Sequence, residues 1–325
     1  MARRALSTTC LTLVRALEEA IPPAVTTTGV NNVRVGLSGG ADSLALTAAL
    51  AWARDHRKGP LAGIEASVRI VDHGLQPGSA TVAATAAQQA TDLGFSAEVV
   101  RVDVDPAHIG VEAAARNARY AALTAGDSAL VLLAHTLDDQ AETVLLGLAR
   151  GSGTRSLSGM PARREFFVRP FLSLRRAQTE QACRDWGLTW WDDPTNTDFS
   201  YARSRVRSVM NELDALLGPG LPEALARTAD LCRTDADHLD AEATAQGIDP
   251  SQPDIPLTDL LSMPTAIRQR ILLSWLRETG GDAVTREHVL AVDALVTHWH
   301  GQKGISVPGG KVVREKATIR LIPGK

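Results

Sequence analysis

The chain has 325 residues, 44% of them hydrophobic and 22% charged, with a formal net charge of −3. That length predicts about two domains, and the 22% charged content argues against wholesale disorder. The slight acidity excludes a globally basic nucleic-acid binder, so any such surface must be a local patch.

At the N-terminus, Met1-Ala2-Arg3-Arg4 is followed by Ser7, Thr8 and Thr9 rather than by the apolar run of a secretory leader. Leu11, Leu13, Val14 and Leu17 have the spacing of a short amphipathic helix. No stretch approaches the roughly 20 apolar residues of a membrane span. Cys10, Cys183 and Cys232 are isolated in sequence and form no CxxC pair. Free thiols in a cytoplasmic protein are therefore expected.

Val33-Arg34-Val35-Gly36-Leu37 reads as a strand that stops at Ser38-Gly39-Gly40, followed by a helix from about Ser43 to Trp52. Residues 67–71 read as a second strand ending at Asp72-His73-Gly74, 81–93 as a helix, and 97–104 as a third strand. A helix over 111–124, a strand over 129–133 and a helix over 137–148 follow. This alternation predicts an α/β fold, a Rossmann-like parallel sheet with helices on both faces. Ligands of such sheets bind beyond the carboxyl ends of the strands. Ser38, Asp72 and His135 each follow a strand and should converge on one crevice.

From Gly151 to about Asp198 the pattern breaks into turns and short apolar pieces. Helix is expected over 213–244, with a break at Gly218-Pro219-Gly220, and again over 263–277 and 286–298. Residues 304–322 read as a β-hairpin turning at Pro308-Gly309-Gly310. The predicted organisation is a catalytic domain over 1–215 and a smaller, mainly helical domain over 216–325 with a terminal hairpin. His298 and His300 point to different sides of a helix and have no partner ligand nearby, so no metal site is expected there.

Ser38-Gly39-Gly40-Ala41-Asp42-Ser43 lies between a strand and a helix. Two glycines let the backbone turn tightly, and the helix start offers free amide N–H groups and a positive dipole end to a phosphate. No lysine follows, so this is not a GxxxxGK[ST] loop. Asp42 would repel a pyrophosphate unless it coordinates a bridging Mg²⁺. The alternative is an ordinary helix-start aspartate. In His135-Thr136-Leu137-Asp138-Asp139-Gln140-Ala141-Glu142-Thr143, Asp139 and Glu142 share a helix face. Acids at a helix start suit its dipole, but that alone does not explain His135 at the preceding strand end. An acidic cluster facing a phosphate loop needs cations, with Mg²⁺ and a substrate ammonium as candidates.

These motifs are joined by Asp72-His73-Gly74-Leu75, by Glu112 through Arg116 with Arg119 and Tyr120, and by Gly151-Ser152-Gly153 through Leu157-Ser158-Gly159-Met160. Asp193-Pro194-Thr195-Asn196-Thr197-Asp198 follows, with Tyr201, Arg203, Arg205 and Arg207 beyond it. SGGxDS resembles the PP-loop of the N-type ATP pyrophosphatases, and the whole order over about 33–207 resembles the tRNA(Ile)-lysidine synthase family. Thr136 and Ser204 depart from that family's frequent histidine and asparagine. The chain is also short for a further C-terminal domain that some relatives carry.

The resemblance implies an adenine nucleotide alpha hydrolase-like fold and a ligase forming a carbon–nitrogen bond. ATP would adenylate the wobble cytidine of the CAU anticodon of tRNA(Ile), and L-lysine would displace AMP. It implies ATP binding by Ser38, Gly39, Gly40, Ala41, Asp42, Ser43, Asp72, His73 and His135. Asp42 would serve the metal, and Asp139 and Glu142 the lysine. Arg205 or a neighbour would enter the catalytic site beside Asp42, Asp139 and Glu142. Arg116, Arg119, Arg203, Arg205 and Arg207 would meet tRNA. A thiolating relative is the alternative, and a homodimer stays open.

Residues 150–207 carry eleven arginines against six acids, a balance of +5 in a chain of net −3. That asymmetry suits a phosphate footprint. Phe166, Phe167, Trp186, Trp190 and Trp191 are interleaved with it and suit either base stacking or core packing.

Overall fold

The computed structural model describes residues 6–55, 59–105, 110–151, 153–193 and 202–324. Contacts divide the chain into two compact units, Met1–Ala149 with Gly159–Arg227, and Arg150–Ser158 with Thr228–Lys325.

The first unit opens with α1 (Thr8–Thr28), β1 (Asn32–Gly36), α2 (Ala41–Asp55) and β2 (Glu65–Asp72). Then come α3 (Ser79–Asp92), β3 (Ser96–Arg101), α4 (Val111–Thr124), β4 (Leu130–Leu132) and α5 (Leu137–Ala149). The short α6 (Thr154–Leu157) belongs to the other unit. β5 (Arg163–Arg164), β6 (Phe167–Val168), α7 (Arg176–Trp186) and α8 (Ala202–Leu217) follow, and α9 runs Leu221–Ala245.

The sheet has the order β3-β2-β1-β4-β6-β5, parallel except for β5. The order reverses between β1 and β4, the switch point at which such sheets open a ligand crevice. Alternate residues divide between the faces. Val33, Val35, Leu130 and Leu132 pack with α1, α2 and α3, whereas Val131 and Leu133 pack with Leu123 of α4. Arg34, 5% exposed, points to the α4 face and donates to the carbonyls of Leu123 and Ala125 at 2.9 and 3.1 Å, capping the negative end of that helix.

α1 is longer than its apolar spacing predicts and continues through Pro22 and Pro23. Its buried face extends to Ile21 and Ala24, and that burial outweighs the hydrogen bonds the prolines remove.

The second unit adds β7 (Asp254–Pro256), α10 (Leu257–Ser262), α11 (Thr265–Gly280) and α12 (Arg286–Thr297). Strands β8 (Ile305–Val307), β9 (Gly310–Glu315) and β10 (Thr318–Pro323) complete it. The expected hairpin is in fact part of a four-stranded antiparallel sheet of order β7-β10-β9-β8. Gly309 takes φ 80°, and a Cβ there would sit 2.7 Å from the Thr279 carbonyl oxygen, so the turn requires glycine. Trp275 is fully buried and donates to the Gln252 carbonyl at 2.8 Å. Among the described residues no helix is long and apolar enough to cross a membrane.

Candidate active site

The phosphate loop joins β1 to α2. Gly39 takes φ 88°, open to glycine at little cost, and its carbonyl accepts from the Trp191 amide at 3.0 Å. Ser43 Oγ donates to the Gly40 carbonyl at 3.1 Å, accepts from the Ser38 amide at 3.1 Å and lies 3.0 Å from Ser38 Oγ. The loop is thus tied by its own hydroxyls, with Ala41 and Asp42 opening α2.

Asp42 faces α7. Thr179 Oγ1 donates to its Oδ1, and Arg176 Nε lies 3.4 Å from its Oδ2. Burial raises its carboxyl to about 6, although Arg176 and Thr179 pull it back. A carboxylate so poorly compensated fits a cation. Among the described residues no group of three or more His, Cys, Asp or Glu side chains is arranged around a metal position.

Asp139 and Glu142 lie on the first turns of α5. Asp139 accepts from the amide and hydroxyl of Thr136 at 2.8 and 2.9 Å and from Arg176 Nη2 at 2.7 Å. Burial opposes its ionisation, but Arg176 and then the neighbouring groups hold its carboxyl below the usual range. Glu142, 3% exposed, accepts from Arg207 Nε at 2.8 Å and Nη2 at 3.3 Å, with Arg176 Nη1 at 3.6 Å. Arg176 is raised further by Asp139, Asp42 and Glu142 despite its burial.

Opposite charge gathers around the ends of β2 and β4. The Tyr120 hydroxyl accepts from Arg116 Nη2 at 3.2 Å and Arg169 Nη2 at 3.4 Å, and Arg119 lies 5.7 Å from its ring centroid. Burial would raise the phenol, but the Arg169 hydrogen bond and the guanidinium charges bring it below its usual value. His135 is pushed down to about 3 by burial, aided by Arg169, Arg119 and Arg116 and opposed by Asp139. His73 is lowered by burial and then by Arg119. The buried His73 Nδ1, His135 Nδ1, Arg119 Nε and Arg169 Nε have no hydrogen-bond partner among the described residues.

Asp72 is engaged locally. It accepts from the Gly74 amide at 2.9 Å, which, with the Ser79 hydroxyl, lowers its carboxyl. On α8, Arg203 lies 3.8 Å from Glu112, Arg207 enters the acidic cluster, and Arg205 is exposed. Ser152, Tyr201 and the stretch from Pro194 to Asp198 lie outside the described residues.

The +5 balance overstates the positive charge on offer, since Arg155 pairs with Asp237 and Asp240, and Arg175 with Asp138 and Glu223. Of the interleaved aromatics, Phe167 is buried against Tyr120, whereas Phe166 is 44% exposed. Gln140 explains part of the glycine pattern. It exchanges hydrogen bonds with the Met160 backbone at 2.7 and 2.9 Å, and a Cβ on Gly159 would sit 2.7 Å from its Oε1.

The residues missed from sequence are Arg176, Thr179, Arg169 and Tyr120 as members of the site. One signal was present for the first. Arg175 and Arg176 sit at the start of α7, where a cation opposes the helix dipole, and such a placement calls for carboxylate partners.

A PP-loop domain family matches residues 12–213, and a TilS substrate binding domain matches residues 255–319. A tRNA(Ile)-lysidine synthase of Leifsonia xyli subsp. xyli is 49% identical over 303 residues, covering 90% of this chain and 90% of its own length. Proteins of the same name from Mycobacterium tuberculosis (48% over 299 residues, covering 90% and 87%) and Salinispora arenicola (46% over 325 residues, covering 95% and 96%) are similar at comparable level. The solved U34-tRNA thiolase NcsA of Methanococcus maripaludis, with its [4Fe-4S] cluster, superposes with a TM-score of 0.54 at 17% identity. That likeness covers 69% of this chain and 80% of the thiolase and shows a shared fold.

Proposed function

The chain belongs to the tRNA(Ile)-lysidine synthase family, and on that premise we propose how its own residues divide the reaction. ATP lies across Gly39 and Gly40, with the α2 amides and the hydroxyls of Ser38 and Ser43 toward its phosphates. Asp42 would hold Mg²⁺, which when bound supplies charge neutralisation at the phosphates. The 2-oxo group of the wobble cytidine in tRNA(Ile) with a CAU anticodon attacks the α-phosphorus, and pyrophosphate leaves. The ε-amine of L-lysine then attacks carbon 2, and AMP departs with the oxygen.

Arg116, Arg119 and Arg169 form a cationic wall suited to phosphate charge, from the triphosphate or the tRNA backbone. His135 and His73 stay neutral beside them and offer ring nitrogens for hydrogen bonding. Arg203 and Arg205 extend the positive surface along α8 toward tRNA, and Arg207 reaches back into the acidic cluster.

Lysine must lose a proton before it attacks. With an ordinary pKa of about 10.4, deprotonation near neutrality costs about 4–5 kcal/mol. Asp42, Asp139 and Glu142 face two guanidinium groups, those of Arg176 and Arg207. One negative charge remains, which Mg²⁺ at Asp42 and a substrate ammonium would share. Asp139 and Glu142 would seat that ammonium and take its proton. The observation that carries this reading is the acidic cluster of α5 joined through Arg176 to the aspartate of the phosphate loop.

Thiolation fits poorly. The Cys183 thiol donates to the Ala41 carbonyl at 3.3 Å, and burial pushes it up to about 12, so it stays protonated. Incubating the protein with Mg-ATP and tRNA, with and without lysine, tests the reading. Lysine-dependent AMP release is expected, and sulfur-dependent or ammonia-dependent turnover would overturn it.

A further inference from the structure

The first turn of α7 touches both acidic groups of the site through different side chains. Thr179 Oγ1 donates to Asp42 Oδ1 and also contacts the Arg176 carbonyl, at 2.7 Å. Arg176 makes its shortest bond to Asp139, at 2.7 Å, and also faces Glu142. Its contact with Asp42 is the longer one, 3.4 Å through Nε. Thr179 is fully buried, so its hydroxyl has no water to compete for.

α7 is itself held in place by α5. The Arg176 amide donates to Asp138 Oδ2 at 2.7 Å, and the Arg175 guanidinium grips the same carboxylate at 2.9–3.2 Å. Consecutive aspartates on α5 therefore take consecutive arginines on α7. Asp138 fixes the backbone of the strut, and Asp139 receives its side chain. A charge-assisted fork of this kind sets carboxylate direction as well as charge.

We propose that Arg176 and Thr179 are two separable positioning residues. Arg176 orients Asp139 and Glu142 for the lysine amine, and Thr179 orients Asp42 for the Mg-ATP side. The assignment rests on the functional reading above. It also separates the residues by reaction step although they are neighbours on one helix turn. Loss of the Arg176 guanidinium leaves Asp139 and Glu142 with Arg207 but without the contact that aligns the two carboxylates, while Asp42 keeps its hydroxyl donor. Loss of the hydroxyl leaves Asp42 turned by Arg176 alone, while the lysine carboxylates keep their fork.

The test uses the full chain and compares Arg176→Met and Arg176→Lys with Thr179→Val and Thr179→Ser. Calorimetry measures binding of Mg-ATP and of lysine, and steady-state assays give KM for each. Thermal melting identifies any variant that fails to fold, and the conservative Lys and Ser variants then carry the comparison. Arg176→Met is expected to weaken lysine binding by about tenfold or more and Mg-ATP binding by less than about threefold. Arg176→Lys keeps charge but loses the fork, and should restore only part of the lysine affinity. Thr179→Val should show the reverse selectivity, with Thr179→Ser close to the parent. The assignment is overturned if both residues move the same ligand equally, or if a folded Arg176→Met binds lysine as the parent does. Absence of lysine-dependent AMP release in the parent protein would instead bring down the functional reading on which the assignment rests.

Discussion

The acidic and basic sides of the crevice follow different rules. On the acidic side, Asp42, Asp139 and Glu142 each have ion-pair or hydroxyl partners within the chain, and Arg176 touches all three. On the basic side, Arg116 and Arg169 share one phenol oxygen, and four buried nitrogens lack partners among the described residues. The Arg119 and Arg169 Nε–H groups are buried donors without an acceptor among the described residues, which costs free energy, so such a wall suits an anion. The acidic side is preorganised by the protein, and on the proposed reading the basic side would be completed by a bound anion. That difference suits a reaction in which a small ammonium must be placed accurately, whereas the polyanions bring many contacts of their own.

The largest effect that would break this contrast comes from Glu142→Gln. Lysine-dependent AMP release should fall by about 10²–10⁴-fold, with Mg-ATP binding changed little. Equal losses in both measurements would mean that the acidic side is not specific to lysine. Asp42→Asn should cost about 10²-fold in lysine-independent pyrophosphate release, because the Mg²⁺ that would neutralise the phosphates loses its carboxylate. Unchanged release across a magnesium titration would remove Asp42 from that role.

Arg203→Ala sharpens the basic side. Its pair with Glu112 spans 3.8 Å between partly exposed groups and contributes little by itself. Filter binding should show tRNA affinity reduced severalfold, with the slope of log affinity against log salt reduced by about 0.7–0.9, one phosphate contact. An unaltered slope would place Arg203 off the RNA.

The smallest effect is one of stability. His135 has its folded pKa lowered to about 3, below the unfolded value of about 6.5. The unfolded chain then binds the extra proton first, so the neutral imidazole contributes stability that is present above about pH 6.5 and is lost as pH falls toward 3. His135→Asn should flatten the decline in chemical-denaturation stability between pH 6.5 and 4 by roughly 3 kcal/mol. An unchanged pH slope would show that His135 is not held neutral by the fold.

Much of this site is legible in the sequence because its parts lie at strand ends. Ser38 through Ser43 follow β1, and His135 through Glu142 follow β4, so strand–helix alternation alone brings them together. Arg176 and Thr179 were hidden for a physical reason. Their partner Asp42 is more than 130 positions away, and α7 arises in a stretch without clear strand–helix periodicity. The sheet of the second unit was half visible. β8 to β10 carry turn signals, but β7 is three residues long and pairs with β10 across more than 60 positions. Counting arginines misled in the same way, since local charge does not reveal that Asp237, Asp240 and Glu223 neutralise Arg155 and Arg175.

The most direct test is a crystal structure with Mg²⁺, L-lysine and an ATP analogue that resists cleavage between its α and β phosphates. Phosphate oxygens are expected over the amides of Gly39 and Gly40, and the lysine ε-nitrogen within hydrogen-bond distance of Asp139 or Glu142. A nucleotide bound away from the glycine turn, or lysine seated among other residues, would contradict that placement.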